Sequence, residues 1–399
     1  MKVCLINCYI NHHQMAFSQA MEALTGGDFQ YISTRPISQA RLNLGYEDLD
    51  HSCSFVIPAY DSQDKKQQAM DLAFDSDLVI LGSAPDEYLL RRMKAGKITF
   101  KYSERPCKQK QTPYLWLRRI IAAWVRHGRF QKYPLYMLCA SAYTAGDYRK
   151  YGDYLGRTYK WGYFPAVKQE DPDALFAVRR AAACTHLLWA GRFLNWKHPE
   201  AAVHAAAWLR QQGYHFQLDL IGNGPMEEAV RALISENHLE DCVSLLGSMT
   251  PDQVRSHMEL ADIYLFTSDF NEGWGAVLNE SMNSCCAVVA SHAIGAAPFL
   301  LRSGENGIIY ENGNQQQFNE AVAFLLDHPE KRESYGRKAY DTLQQKWNAE
   351  VAAKRVAELY HHLYQGKQGS PFADGPCSIA QPMTNEEAVR LADSSLWKN

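Results

Sequence analysis

Short runs rich in β-branched and aromatic residues alternate along this chain with longer stretches whose apolar positions recur every three or four residues. The first kind of run predicts strands and the second predicts amphipathic helices. In the first half, strands are expected over 3–9, 29–33, 77–81, 97–102, 135–140 and 159–163, with helices such as "MAFSQAMEAL" and "SQDKKQQAMDLAF" between them. The pattern lapses in "AVKQEDPDALFAVRRAAACTH", a charged, alanine-rich stretch that reads as a linker. It restarts with "HLLWAGR", "FQLDLIGNG", "VSLLGS", "IYLFTS", "AVVASHAIGAAPFLL" and "GIIYENG", then closes in long helices from 314 to about 364. Pro225 and Pro251 fall just inside helix starts, where the missing N–H costs nothing.

Strands that alternate with crossover helices build parallel sheets. A chain of 399 residues is too long for one ordinary core. The expected fold class is therefore α/β, with two doubly wound, parallel-sheet, Rossmann-like domains facing a cleft. The boundaries read as 1–168, a linker over 169–184, a second domain over 185–365, and a tail over 366–399. Ligands of such sheets bind at the carboxyl ends of the strands, so the chemistry should lie in the loops that follow them.

Composition narrows the class. With 46% apolar and 21% charged residues the chain is globular rather than disordered. No apolar run approaches the roughly 20 residues of a spanning helix, and the opening "MKVCLINCYINHH" lacks a cleavage site, so a cytoplasmic location is expected. Ten cysteines without a C-x-x-C pair read as reduced, mostly buried thiols. The net charge of −3 conceals a basic segment, 91–132, with thirteen Lys or Arg and one acid, Glu104.

Three strand-following loops carry candidate chemistry. Gly191, Arg192 and Lys197 follow "HLLWA"; an arginine fork and a lysine point charge suit a diphosphate, although solvated surface cations look the same in sequence. "LIGNGP" sets Gly222, Asn223 and Gly224 at a turn, where glycine either admits a ligand or only serves a positive φ. "DFNEGWGAVLNESMNS" follows "IYLFTS". Gly273, Trp274, Gly275 and Ala276 there lead into a helix expected from about Gly275, whose bare amides would suit a phosphate. Glu272 and Glu280, eight positions apart and at most about 12 Å along a helix, each offer a carboxylate able to hold a vicinal diol: Glu280 the ribose, Glu272 the sugar. Two solvent-facing acids at a helix start are the alternative.

Taken in order, "GR" with Lys197, "LIGNGP", "VSLLGS" and the E-x7-E beginning "NEGWG" resemble the carboxyl-terminal half of retaining GT-B glycosyltransferases of family 4, a group of capsule, exopolysaccharide and lipopolysaccharide sugar transferases. The resemblance covers about 185–365. It implies that Arg192 and Lys197 bind the donor diphosphate, that Gly247 and Ser248 lie beside the base, and that the tail crosses back to the first domain. It also implies that no metal cofactor is needed. The Asp171-Pro172-Asp173 triplet imitates a metal-binding D-x-D, yet no strand precedes it.

Two departures stand out. Where many relatives have Gly-Gly after the first strand, this chain has His12, His13 and Gln14, and Phe299 follows Pro298 where Glu is usual. A histidine at 12 or 13 could orient sugar or phosphate, or simply cap the helix. In "YLWLRRIIAAWVRHGRF", Trp116 and Trp124 interleave with Arg118, Arg119 and Arg126, as in an interfacial helix on an anionic membrane. A helix packed on its own sheet is the alternative, and no nucleic-acid module accompanies the charge. The expected activity is transfer of a hexose from a nucleotide-diphosphate sugar to a glycan or lipid-linked glycan by a cytoplasmic, membrane-peripheral enzyme. A nucleotide-sugar epimerase and a catalytically silent glycan-binding protein remain the competing readings.

Overall fold

The structure, a computed structural model, describes residues 1–42, 47–108, 117–118, 121 and 132–398. It divides into two compact units. Unit 1 comprises Met1–Ala166 and Trp347–Met383, and unit 2 comprises Val167–Lys346 and Thr384–Asn399.

Unit 1 is built on strands β1 (Val3–Asn7), β2 (Phe29–Ser33), β3 (Val56–Pro58), β4 (Leu78–Leu81), β5 (Thr99–Ser103), β6 (Leu135–Cys139) and β7 (Thr158–Lys160). They form one sheet in the order β3-β2-β1-β4-β5-β6-β7, parallel throughout. β3 was not anticipated. Its three residues are too few to show a period, and Pro58 at its end is tolerated because β3 is an edge strand. At the other edge, the segment around Ile379 bridges Tyr159 in antiparallel sense. Lys160 N donates to Ser378 O (2.7 Å) and Cys377 N to Lys160 O (2.8 Å), which covers strand groups that would otherwise be unpaired. Helix Ala349–Tyr364 packs on helix His12–Thr25, so the chain enters unit 1 at Trp347 rather than at 366.

Unit 2 holds β8 (Thr185–Ala190), β9 (Phe216–Ile221), β10 (Val243–Gly247), β11 (Ile263–Phe266), β12 (Ala287–Ser291) and β13 (Ile308–Tyr310). The order β10-β9-β8-β11-β12-β13 is the doubly wound 3-2-1-4-5-6 arrangement, again parallel throughout. Leu187, Leu218, Leu220, Ile263, Leu265 and Val289 pack with helix residues such as Val203, Leu209 and Phe318 in one continuous core.

The stretch read as a linker is part of unit 2. Residues Pro172–Arg180 are helical, and the Asp171 carboxylate caps the helix by accepting from Asp173 N (3.0 Å) and Ala174 N (3.4 Å). Buried Arg179 donates to Ser284 O (2.6 Å) and Cys285 O (2.7 Å). The lapse in pattern came from a helix that buries an arginine where a hydrophobe would ordinarily sit. From Thr384 the chain returns to unit 2, opening helix Asn385–Val389 with a capping box between Thr384 and Glu387. No helix among the described residues is long and apolar enough to cross a membrane.

Candidate active site

In the second sheet β8 and β11 are neighbours whose following loops lead apart, the switch point where doubly wound sheets open a crevice. The loops after β8, β9 and β10 are tied together through backbone. Gly191 N donates to Ile221 O (2.9 Å), Gly222 N to Gly247 O (2.8 Å) and Phe193 N to Asn223 O (2.7 Å). Gly222 sits at φ 132°, and a β-carbon there would lie 1.9 Å from Gly191 O; at Gly224, φ 151°, it would lie 2.6 Å from Phe193 O. These glycines are therefore required by the protein's own turns, whatever they also admit. Asn223 and Ser248 are exposed beside them, and Gly247, at φ 72°, has open space around it.

Lys197 and Glu272, expected to meet different parts of a donor, are in contact with each other. Lys197 Nζ lies 2.7 Å from Glu272 Oε2, which also accepts from Ser268 Oγ at 3.0 Å. Two residues not singled out from sequence hold this arrangement. Buried Thr267 accepts from Trp189 Nε1 (2.8 Å) and donates to Lys197 O (2.7 Å), while Asp269 N donates to Trp196 O (2.9 Å). The signal for them was position: Thr267 directly follows β11 and Asp269 comes two residues later in the same loop. Arg192 stays exposed; its carbonyl accepts from Leu194 N (2.8 Å), and its guanidinium makes no hydrogen bond or ion pair to a described residue. The loops thus present one free guanidinium beside an ammonium held by a carboxylate.

The stretch from Gly273 corrects two expectations. The helix begins at Val277, not near Gly275, because Gly275 stands at φ 88°; it spans Val277–Asn283. The amides of Gly273, Gly275 and Ala276 donate to no acceptor among the described residues. Trp274, expected to meet the donor, is fully buried, and its Nε1 donates to Asn279 Oδ1 (2.9 Å). Its side chain is core, so only its backbone faces the loop. Glu280 is partly exposed, yet burial of its carboxyl pushes the pKa up to about 7, with Arg255 pulling the other way.

In unit 1, His12 and His13 open helix His12–Thr25 rather than lying in a loop, with Asn11 as the cap accepting from His13 N (3.0 Å). Their neighbours Asn11 and Gln14, not the histidines, line a cavity of 720 Å³ beyond β1 and β4, the switch point of the first sheet. Asn7 accepts from Cys8 N and Ser83 N (both 2.9 Å), which turns its Nδ2 toward Tyr102 OH at 2.6 Å; Gln14 Nε2 donates to the same hydroxyl at 2.7 Å. Glu104 accepts from Tyr163 OH and pairs with Lys108, each at 2.6 Å. Trp116, Arg119, Trp124 and Arg126 lie outside the described residues; Arg118 is exposed in helical backbone, with Leu117 and Ile121 exposed beside it.

Residues 185–342, from the start of β8 to the last long helix of unit 2, match the family model for glycosyl transferases group 1. Among curated relatives, the alpha-D-kanosaminyltransferase of Streptomyces kanamyceticus is 28% identical over 177 residues, 44% of this chain and 45% of that protein. The amylovoran biosynthesis glycosyltransferase AmsK of Erwinia amylovora is 26% identical over 182 residues, 44% of each. The chain thus spans less than half the length of the curated relatives it matches. The crystal structure of Anabaena Alr3699/HepE in complex with UDP superposes with a TM-score of 0.65 at 15% identity, covering 90% of this chain and 99% of that one. The fold is that of GT-B glycosyltransferases, with two parallel-sheet α/β units.

Proposed function

We propose that this chain is a retaining glycosyltransferase that moves a hexose from a nucleotide-diphosphate sugar to a hydroxyl of a glycan acceptor. The observation that carries the reading is the meeting of Lys197 and Glu272 at the switch point of unit 2, beside exposed Arg192 and the undonated amides of Gly273 and Gly275. A pyrophosphate there gains two cations and bare N–H donors. Lys197 exchanges Glu272 for phosphate, which leaves the Glu272 carboxylate to accept from sugar hydroxyls. Glu280 takes the ribose diol, and the loops at Gly247 and Ser248 lie beside the base.

Catalysis then comes from fixing the donor and stabilising the departing diphosphate, with the acceptor proton passing late to the leaving phosphate. Arg192 and Lys197 neutralise that charge, so a metal ion is not part of the mechanism. The polar cavity of unit 1 receives the acceptor, with Tyr102 and Glu104 among its hydrogen-bonding groups. Relatives of the matched segment include an amylovoran biosynthesis glycosyltransferase and an N-acetylgalactosaminyltransferase named for a diphospho-undecaprenol acceptor, which favours a lipid-linked glycan, and the basic segment with exposed Arg118 favours an acceptor met at an anionic membrane from the cytoplasmic side.

The test is a panel of nucleotide sugars, scored first for slow hydrolysis to free diphosphate and then for transfer to lipid-linked glycans. Lys197→Ala and Glu280→Ala should each abolish transfer while leaving the circular dichroism spectrum unchanged. Full turnover in both variants would remove the assignment. Conversion of the donor sugar without any acceptor would point to an epimerase instead.

A further inference from the structure

One charged side chain in the loop after β8 has no part in the reading above. His198 follows Lys197 and stands at φ 51°, ψ 54°, a left-handed backbone that a residue with a β-carbon holds only under constraint. Its imidazole is hydrogen-bonded on one side and faces a carboxylate at ion-pair distance on the other. Nδ1 lies 2.8 Å from Glu200 Oε1, on helix Pro199–Gln211, and Nε2 lies 3.6 Å from Asp269 Oδ2, in the loop after β11. A neutral imidazole carries a single N–H, so only the doubly protonated ring offers a proton to both carboxylates. The remaining oxygen of Asp269 accepts from Asn271 N (2.8 Å) and Nδ2 (3.0 Å), which fixes that loop in turn.

We propose that His198 is a positioning residue of the diphosphate site: clamped between Glu200 and Asp269, it fastens the loop carrying Lys197 to the loop carrying Glu272 and supplies that cluster's third positive charge. This rests on the donor-site reading of unit 2. Lys197 and His198 meet three carboxylates, Glu200, Asp269 and Glu272, across these loops, and exposed Arg192 stands in the same loop as Lys197; the nearby phenol of Tyr310 on β13, its pKa raised by burial and by Glu200, stays neutral. With His198 charged the cluster balances, and a pyrophosphate is drawn in by Arg192 and by Lys197 as it leaves Glu272. With His198 neutral the cluster carries one surplus negative charge, which opposes the ligand. The two carboxylates, Asp269 first and Glu200 second, raise the imidazole to about 9 against the effect of burial, so the charge persists through neutral pH and disappears only in alkali.

The experiment compares wild type with His198→Asn, since asparagine accepts the left-handed backbone and still hydrogen-bonds but carries no charge. Binding of a panel of nucleoside diphosphates is measured by calorimetry from pH 7 to pH 10. The ratio of the two affinities cancels any titration of the ligand itself. We expect wild type to bind about tenfold tighter at pH 7, with the ratio falling toward one as pH passes about 9. A ratio of one at pH 7, or one that stays constant with pH, overturns the proposal.

Should the variant fold poorly, the imidazole of wild type is followed by NMR: titration near 9 supports the clamp, and titration below about 7.5 overturns it. If wild type binds no diphosphate while the imidazole still titrates near 9, the donor-site reading is what has failed. The role assigned to His198 falls with it, and the clamp remains as loop architecture alone.

Discussion

Replacing Glu280 by Gln examines the site through stability as well as binding. The Glu280 carboxyl is raised from 4.5 to about 7, mainly by burial, with Arg255 offsetting part of the effect. The unfolded chain releases this proton near 4.5, whereas the folded chain keeps it to about 7. Between those values the folded state binds more protons, so stability falls as pH rises. The contribution is complete below 4.5 and lost above about 7. At about 1.4 kcal/mol per pH unit, the interval sets an upper limit of about 3.5 kcal/mol. Glu280 retains some exposed surface, so about 1 to 2 kcal/mol is the working expectation. Glutamine has the same shape and cannot ionise. At pH 8 the variant should therefore melt several degrees above wild type, at roughly 2 to 4 °C per kcal/mol for a domain of this size. The gap should close toward pH 5. Nucleoside diphosphate affinity should drop at the same time, by about tenfold, because a charged acceptor for the ribose diol has been removed. Calorimetric scans from pH 5 to pH 8 provide the check. Parallel pH dependence in the two proteins, or a variant less stable at pH 8, would refute the claim that this carboxylate is held ionised at a cost.

Other expectations follow from the same structure. Gly222→Ala drives a β-carbon to 1.9 Å from Gly191 O, whereas Gly247→Ala meets open space and only the left-handed strain; urea denaturation should find the first destabilised by about 3 kcal/mol or more and the second by about 1 to 2. Thr267→Ala strands the buried Trp189 Nε1 and frees Lys197 O, a loss of about 1 to 3 kcal/mol with weaker diphosphate binding, and Thr267→Ser should restore both. In unit 1, Asp147→Ala removes the partner of buried Arg105, 3.2 Å away, and the acceptor of Cys107 N; a destabilisation of about 3 to 5 kcal/mol is expected, and less than about 1 kcal/mol would show that water reaches the guanidinium.

Period and spacing by themselves determined the parallel α/β class, because alternating short apolar runs and 3.6-residue patterns leave few other ways to bury both faces. They located every strand of unit 2 and all but β3 of unit 1. Arg192, Lys197, Glu272 and Glu280 were legible as candidates because their residue types follow strand ends. The pairing of Lys197 with Glu272 was not, since 75 positions separate them and only the adjacency of β8 and β11 brings them to 2.7 Å. Nor could sequence tell that Trp274 turns inward, that Gly222 and Gly224 yield to neighbouring carbonyls, or that Asp171 caps a helix. The division into units was decided at the same level, because helix Ala349–Tyr364 has an amphipathic pattern that names no partner and only packing assigns it to helix His12–Thr25. Local chemistry is written along the chain, whereas which apolar face and which charge it meets depends on long-range burial that no local pattern encodes.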